Sequence, residues 1–192
     1  MRILITAFEP FGGAETNITQ SVLSLLPDSV ADWAIEKVCL PVSFKRAPIV
    51  LREAIATYSP DLVIMLGQCS TGENIRLERF AINMMDSSKA DNDGYIPNEE
   101  TIYNLQPLAL QTPLSVKALA ISCAETGLPV VVSNSAGLYC LQSCVLRGVA
   151  SAATSHLCAC SQEYRRDDSP KCAGASFAKN NGLRLSIFFD VL

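Results

Sequence analysis

Three consecutive valines, Val130-Val131-Val132, run into Ser133-Asn134-Ser135 and then Ala136-Gly137-Leu138-Tyr139-Cys140. No other stretch constrains the fold as much. β-Branched residues in a row favour a buried strand. Ser-Asn-Ser ends it, and Ala-Gly opens a tight turn into a helix. A residue at such a turn sits at the C-terminal edge of a sheet and at the N-terminus of a helix. Backbone N–H groups and the helix dipole there favour negative charge. A cysteine in that position is expected to have its thiolate stabilised, which makes Cys140 the candidate nucleophile. The competing reading is an ordinary buried thiol, since free cysteine is among the most buried residue types.

The rest of the chain repeats the strand-turn-helix theme. Arg2 to Phe8 (RILITAF) is an apolar run of strand type, broken by Glu9-Pro10-Phe11-Gly12-Gly13. Asn17 or Thr19 can cap a helix through Val22, Leu23, Leu25 and Leu26, which Pro27-Asp28 ends. Ile35 to Ser43 alternates as a strand. A helix from about Lys45 to Tyr58 follows, with Pro48 tolerable only in its first turn. Leu62 to Gln68 (LVIMLGQ) is a second continuous strand. Asn74 to Asn83 (NIRLERFAIN) reads as a strand that carries Glu78 among apolar residues. Ser87 to Glu100 is polar, with Asp91-Asn92-Asp93-Gly94 at a loop tip that lacks the spacing of a calcium loop. Leu114 to Thr126 is a helix with Gly127 as its C-cap. This order predicts an α/β protein, a three-layer α/β/α sandwich around a twisted, mainly parallel sheet.

Composition narrows the function. The 192 residues suffice for one domain with a full core. A net charge of −4 with scattered signs gives no nucleic-acid footprint. No apolar run reaches membrane-spanning length, and the strand-like Met1–Ile5 is too short for a signal peptide, so a cytoplasmic protein is expected. Five of the eight cysteines crowd into the last third. Cys158-Ala159-Cys160 beside His156 could mimic a metal-binding module, but the C-x-C spacing is tight and no second pair matches it, so no metal or other cofactor is expected. The Gly12-Gly13 pair matches no phosphate-binding loop.

Taken together, several stretches resemble one family, pyrrolidone carboxyl peptidase (pyroglutamyl peptidase I). Thr6-Ala7-Phe8-Glu9-Pro10-Phe11-Gly12-Gly13 with Asn17 is similar to its T-G-F-x-P-F-G-G…N opening. Gly67-Gln68 and Leu77-Glu78-Arg79-Phe80-Ala81-Ile82-Asn83 are similar to its G-Q…E-R-x-A-x-N segment. Asp91-Asn92 with Gly94 matches D-N-x-G, and Ser133 to Tyr139 matches the approach to its nucleophile. The resemblance covers residues 1–139. It implies a single peptidase domain of phosphorylase/hydrolase-like form that removes N-terminal pyroglutamate from peptides, and a homo-oligomer. It also implies a Cys-His-Glu triad, in which the thiolate attacks the pyroglutamyl carbonyl, His moves the protons and Glu orients the imidazole. Glu78 would be that carboxylate. Phe8 and Phe11 would line the pocket for the flat, uncharged lactam, with Gln68 adding polar contacts.

From residue 140 the chain departs from the pattern. The family places one residue and then Cys-Asn after the aromatic; here Cys140 comes one position early and Leu141 fills the nucleophile slot. One position on a helical first turn is a rotation of about 100°. The family's G-F-[IV]-H-[IV]-P strand is absent, and the only histidine is His156. The tail of 140–192 is Cys-, Ser- and Arg-rich without clear periodicity. A frameshift near codon 140 accounts for all of this. If the codons for CLQSCVLRGV are chosen as TGC CTG CAA TCA TGT GTT TTA CGG GGT G, reading one nucleotide later gives Ala-Cys-Asn-His-Val-Phe-Tyr-Gly-Val. The alternative to a working cysteine peptidase is therefore a catalytically inactive, frameshifted homologue.

Overall fold

The structure, a computed structural model, describes residues 1–69, 74–141, 144, 146 and 155–161; most of the tail lies outside the described residues. Twelve named elements run in the order β1 (Arg2–Phe8), α1 (Ile18–Leu25), β2 (Ser29–Val30), β3 (Trp33–Leu40), α2 (Ala47–Tyr58), β4 (Leu62–Gln68), β5 (Ile75–Glu78), β6 (Phe80–Ile82), β7 (Ala109–Gln111), α3 (Val116–Glu125), β8 (Val130–Ser133) and β9 (Ser155–Ser161). Seven strands form one sheet in the order β2-β3-β1-β4-β9-β5-β8. The pairs β1–β3, β1–β4, β4–β9 and β5–β8 are parallel, and β2–β3 and β5–β9 are antiparallel. The fold is the expected α/β class with a mainly parallel sheet.

Alternation along the central strands separates two cores. Ile3, Ile5 and Ala7 of β1 and Ile64 and Leu66 of β4 pack with α1 and α3 on one face. Leu4 and Phe8, with Val63 and Met65, pack on the other face with Leu51 and Ala54 of α2 and with Cys140, Leu141, Cys144 and Leu146. β1 and β4 are apolar on both sides because both of their faces are covered.

Local chemistry sets the element ends. Asn17 caps α1, its Oδ1 accepting from Thr19 N. Pro48 lies in the first turn of α2, where its missing N–H costs nothing. Gly127 takes a φ of 77° just past α3.

Three expectations change. The single strand over 74–83 breaks at Arg79. There the Arg79 N–H still bonds Ser133 O, while its carbonyl accepts from Thr112 N. Phe80 onward therefore leaves the main sheet to pair with β7. The strand over Ile35 to Ser43 starts and stops earlier, at Trp33 and Leu40. The triple-valine strand is not buried: β8 is the last strand of the sheet, so Val130 and Val132 are half-buried and Val131 is exposed. No helix among the described residues is long and apolar enough to cross a membrane.

Candidate active site

Glu78 ends β5 and is 4% exposed. Its Cα is in register with Ser133 of β8 and Cys158 of β9, in the interior of the sheet. Neither carboxylate oxygen has a hydrogen bond among the described residues. Arg76 Nε stands 3.6 Å from Oε1, but the Arg76 guanidinium spends its hydrogen bond on Ser133 Oγ at 2.8 Å. The Ser133 hydroxyl in turn donates to Ser135 O. Burial raises the Glu78 pKa above its ordinary value; Ser133, Arg76 and the Ser135 backbone pull it back in part. A buried carboxylate without a donor is costly and rare. It can accept a proton or a cationic partner, as the orienting acid of a triad must.

Cys140 follows the Ala136–Tyr139 turn at the start of a helical stretch. Its side chain lies in the second core and is 2% exposed. The expected thiolate stabilisation does not hold in this conformation. Burial, then Cys144 and Asp91, push the Cys140 thiol well above the ordinary range. Low dielectric opposes charge on the sulfur more than the first turn of a helix favours it. Glu78 and Met65 are both in register with Cys158, and Met65 lies in the same core as Cys140, so Glu78 faces the side of the sheet that holds Cys140. His156 sits in β9 with its Cα in register with Val63.

The aromatic residues are divided. Phe8 is 5% exposed and belongs to the second core, so it supports a pocket from behind. Phe11 is half-buried, and its ring lies 5.9 Å from that of Tyr139. Tyr139 meets Phe44 edge-on at 5.2 Å, and Phe44 meets Tyr95 edge-on at 6.0 Å. Lys45 Nζ sits 4.7 Å above the Tyr95 ring. Gln68 turns its side-chain carbonyl to the Ile18 N–H at the start of α1, 3.3 Å away. That end of the amide is engaged in holding α1, not open to a ligand.

Sequence reasoning missed Tyr139 as the ring partner of Phe11, and Phe44 and Tyr95 as the rings packed beyond it. The available signal was an aromatic in each of several loops beside the D-N-x-G motif. That motif forms a dense polar turn. Asp91 accepts from Phe44 N, Asp93 N and Tyr95 N at 2.9–3.0 Å. Asn92 Nδ2 donates to Glu9 Oε1 at 2.8 Å and to Pro10 O at 2.9 Å. Arg46 grips Asp93 through two contacts of 2.6 and 2.8 Å, which hold the Asp93 carboxyl down to about 2.

Comparison with known proteins adds a second line of observation. The sequence model of the pyroglutamyl peptidase family matches residues 1–159. The pyrrolidone-carboxylate peptidase of Thermococcus onnurineus is 43% identical over 139 residues, which is 72% of this chain and 70% of that protein. The protein of the same name from Lacticaseibacillus paracasei is 39% identical over 139 residues, 72% of this chain and 65% of that one. The structure of pyrrolidone carboxyl peptidase from Thermococcus litoralis superposes with a TM-score of 0.85 at 29% identity, covering 98% of this chain and 93% of that one. Pyroglutamyl peptidase I from Bacillus amyloliquefaciens gives 0.83 at 25% identity, covering 97% and 94%.

Proposed function

The chain belongs to the pyroglutamyl peptidase family, and from that premise we propose that it removes N-terminal pyroglutamate from peptides as a cysteine-type omega peptidase. The observation that carries the reading is Glu78, a buried carboxylate whose oxygens have no hydrogen bond among the described residues. In a protein with no catalytic use for it, such a group would be replaced at little cost.

In the proposed mechanism the Cys140 sulfur, once deprotonated, attacks the pyroglutamyl carbonyl carbon. The tetrahedral intermediate collapses to a thioester as the peptide amine leaves with a proton. Water then hydrolyses the thioester, releasing pyroglutamate and restoring the thiol. Glu78 is the acid that orients the base. The family resemblance makes that base a histidine, and His156 is the one histidine in the chain. The lactam lies against Phe11 with Phe8 behind it, beside Gln68. A neutral, flat ring suits an aromatic wall more than a charged one.

Hydrolysis of a fluorogenic pyroglutamyl amide tests the reading. Glu78→Gln keeps the shape but not the charge; turnover is expected to fall on the order of 10²-fold or more, with the far-UV spectrum unchanged. Full activity in E78Q would contradict the assignment. A homo-oligomer completes the proposal. Sedimentation velocity should give a species heavier than the 20.7 kDa chain.

A further inference from the structure

The D-N-x-G turn makes no contact that the proposed chemistry uses, yet it touches every segment that carries the aromatic wall. Phe11 lies in the loop after β1, Phe44 in the loop after β3, and Tyr139 in the turn after β8. The Asn92 N–H donates to Val42 O at 2.9 Å, and the Phe44 N–H donates to Asp91 Oδ2 at 2.9 Å, which fixes the loop after β3. Asn92 Nδ2 bridges Pro10 O and Glu9 Oε1, which fixes the loop after β1. Glu9 Oε1 also accepts from Val42 N at 3.0 Å, so both loops meet at one oxygen. The Tyr139 hydroxyl donates to Ala90 O at 2.9 Å, which ties in the third segment.

The residue types fit that task. Asp91 is 6% exposed and takes three N–H donors, which an acceptor-only carboxylate can do and an amide cannot. Asn92 must donate, because both of its side-chain targets are oxygens and one is a carboxylate. An aspartate there would set two carboxylates against each other. Gly94 holds a φ of 83°, which closes the turn so that its N–H reaches Asp91 O.

From this convergence we infer that the Asp91–Gly94 turn is a clasp that sets the spacing of the Phe11–Tyr139–Phe44 wall, with Asn92 as a positioning residue for recognition of the pyroglutamyl ring. This inference rests on the peptidase reading of the site. Within the clasp Asp91 and Asp93 act on the Cys140 thiol through their charge, whereas Asn92 is among the groups acting on neither that thiol nor Glu78, so loosening the clasp at Asn92 should weaken substrate binding more than the chemical step.

The test uses the full chain with a fluorogenic pyroglutamyl amide, together with binding of free L-pyroglutamate followed by saturation-transfer NMR. Asn92→Asp should raise KM and the pyroglutamate Kd at least fivefold, with kcat within about twofold of the unmodified chain. The double variant E9Q/N92D removes the carboxylate pair, and should recover most of that loss. A clasp with a structural role alone would lower the melting temperature of N92D and leave KM and Kd where they were, which would overturn the inference while leaving the peptidase reading intact. A fall in kcat at constant KM, or a double variant no better than N92D, would overturn it as well. An unmodified chain that neither binds pyroglutamate nor hydrolyses the amide would overturn the peptidase reading itself, and the clasp with it.

Discussion

Glu78 and Cys140 pose the same electrostatic problem on one side of the sheet: burial disfavours the charged form of each. Glu78 is a carboxylate whose folded-state pKa is raised by burial. It binds its proton more tightly folded than unfolded. Its contribution is therefore most favourable below the ordinary value of 4.5, and stability is lost as pH rises from there through the folded pKa. Glu78→Gln should consequently be more stable than the unmodified chain at pH 7–8, by about 1–3 kcal/mol, while losing turnover. Thermal melts at pH 4 and pH 8 check this, since the gain should shrink at the acid end. Cys140 is a thiol pushed up by burial. Its alkylation by iodoacetamide should be slow at pH 7 and still rising at pH 10, without the neutral plateau of an activated thiolate. A plateau below pH 8 in the alkylation rate would mean that an imidazole or another donor reaches the sulfur.

At the scale of elements, the strongly patterned segments could be read from sequence. RILITAF and LVIMLGQ are strands because the centre of a sheet buries both faces, and β1 and β4 occupy that centre. The cap of α1 could be read at Asn17 because its side chain does local work. Pairing was harder to read. Two-residue β2 and three-residue β7 carry almost no pattern of their own. Whether Phe80 continues β5 or departs depends on Thr112, whose N–H bonds the Arg79 carbonyl 33 residues earlier in the chain. The Val130 run has the composition of a buried strand, but only tertiary order makes it an edge. The site followed the same division. Glu78 stood out as a charge among apolar neighbours, whereas the role of Tyr139 depends on Ala90 across 49 positions. Asn17 is 1% exposed; it caps α1 and donates to Glu9 O at 3.1 Å. Asn17→Ala should cost about 2 kcal/mol, seen as a drop of roughly 5 °C in melting temperature.

Across the whole molecule, the curated relatives align over 139 residues and the family model runs on to residue 159. Residues 1–139 hold Glu78, the aromatic wall and the clasp. Cys140 lies in the second core, with the buried Leu141 beside it. We propose that the tail from 140 is encoded one nucleotide out of register. Sequencing the gene across codon 140 should find shifted codons for Ala-Cys-Asn without an intervening stop, and an unshifted gene with other codons there would contradict it. Restoring the register should raise turnover on the order of 10²-fold, since a misplacement of about 1 Å costs that much. The most direct test of the account remains hydrolysis of a chromogenic pyroglutamyl amide by the chain as written, with and without a thiol alkylator. Slow turnover is expected, climbing with pH and lost on alkylation and in Cys140→Ala. Turnover that survives both, or no turnover at any pH, would contradict it.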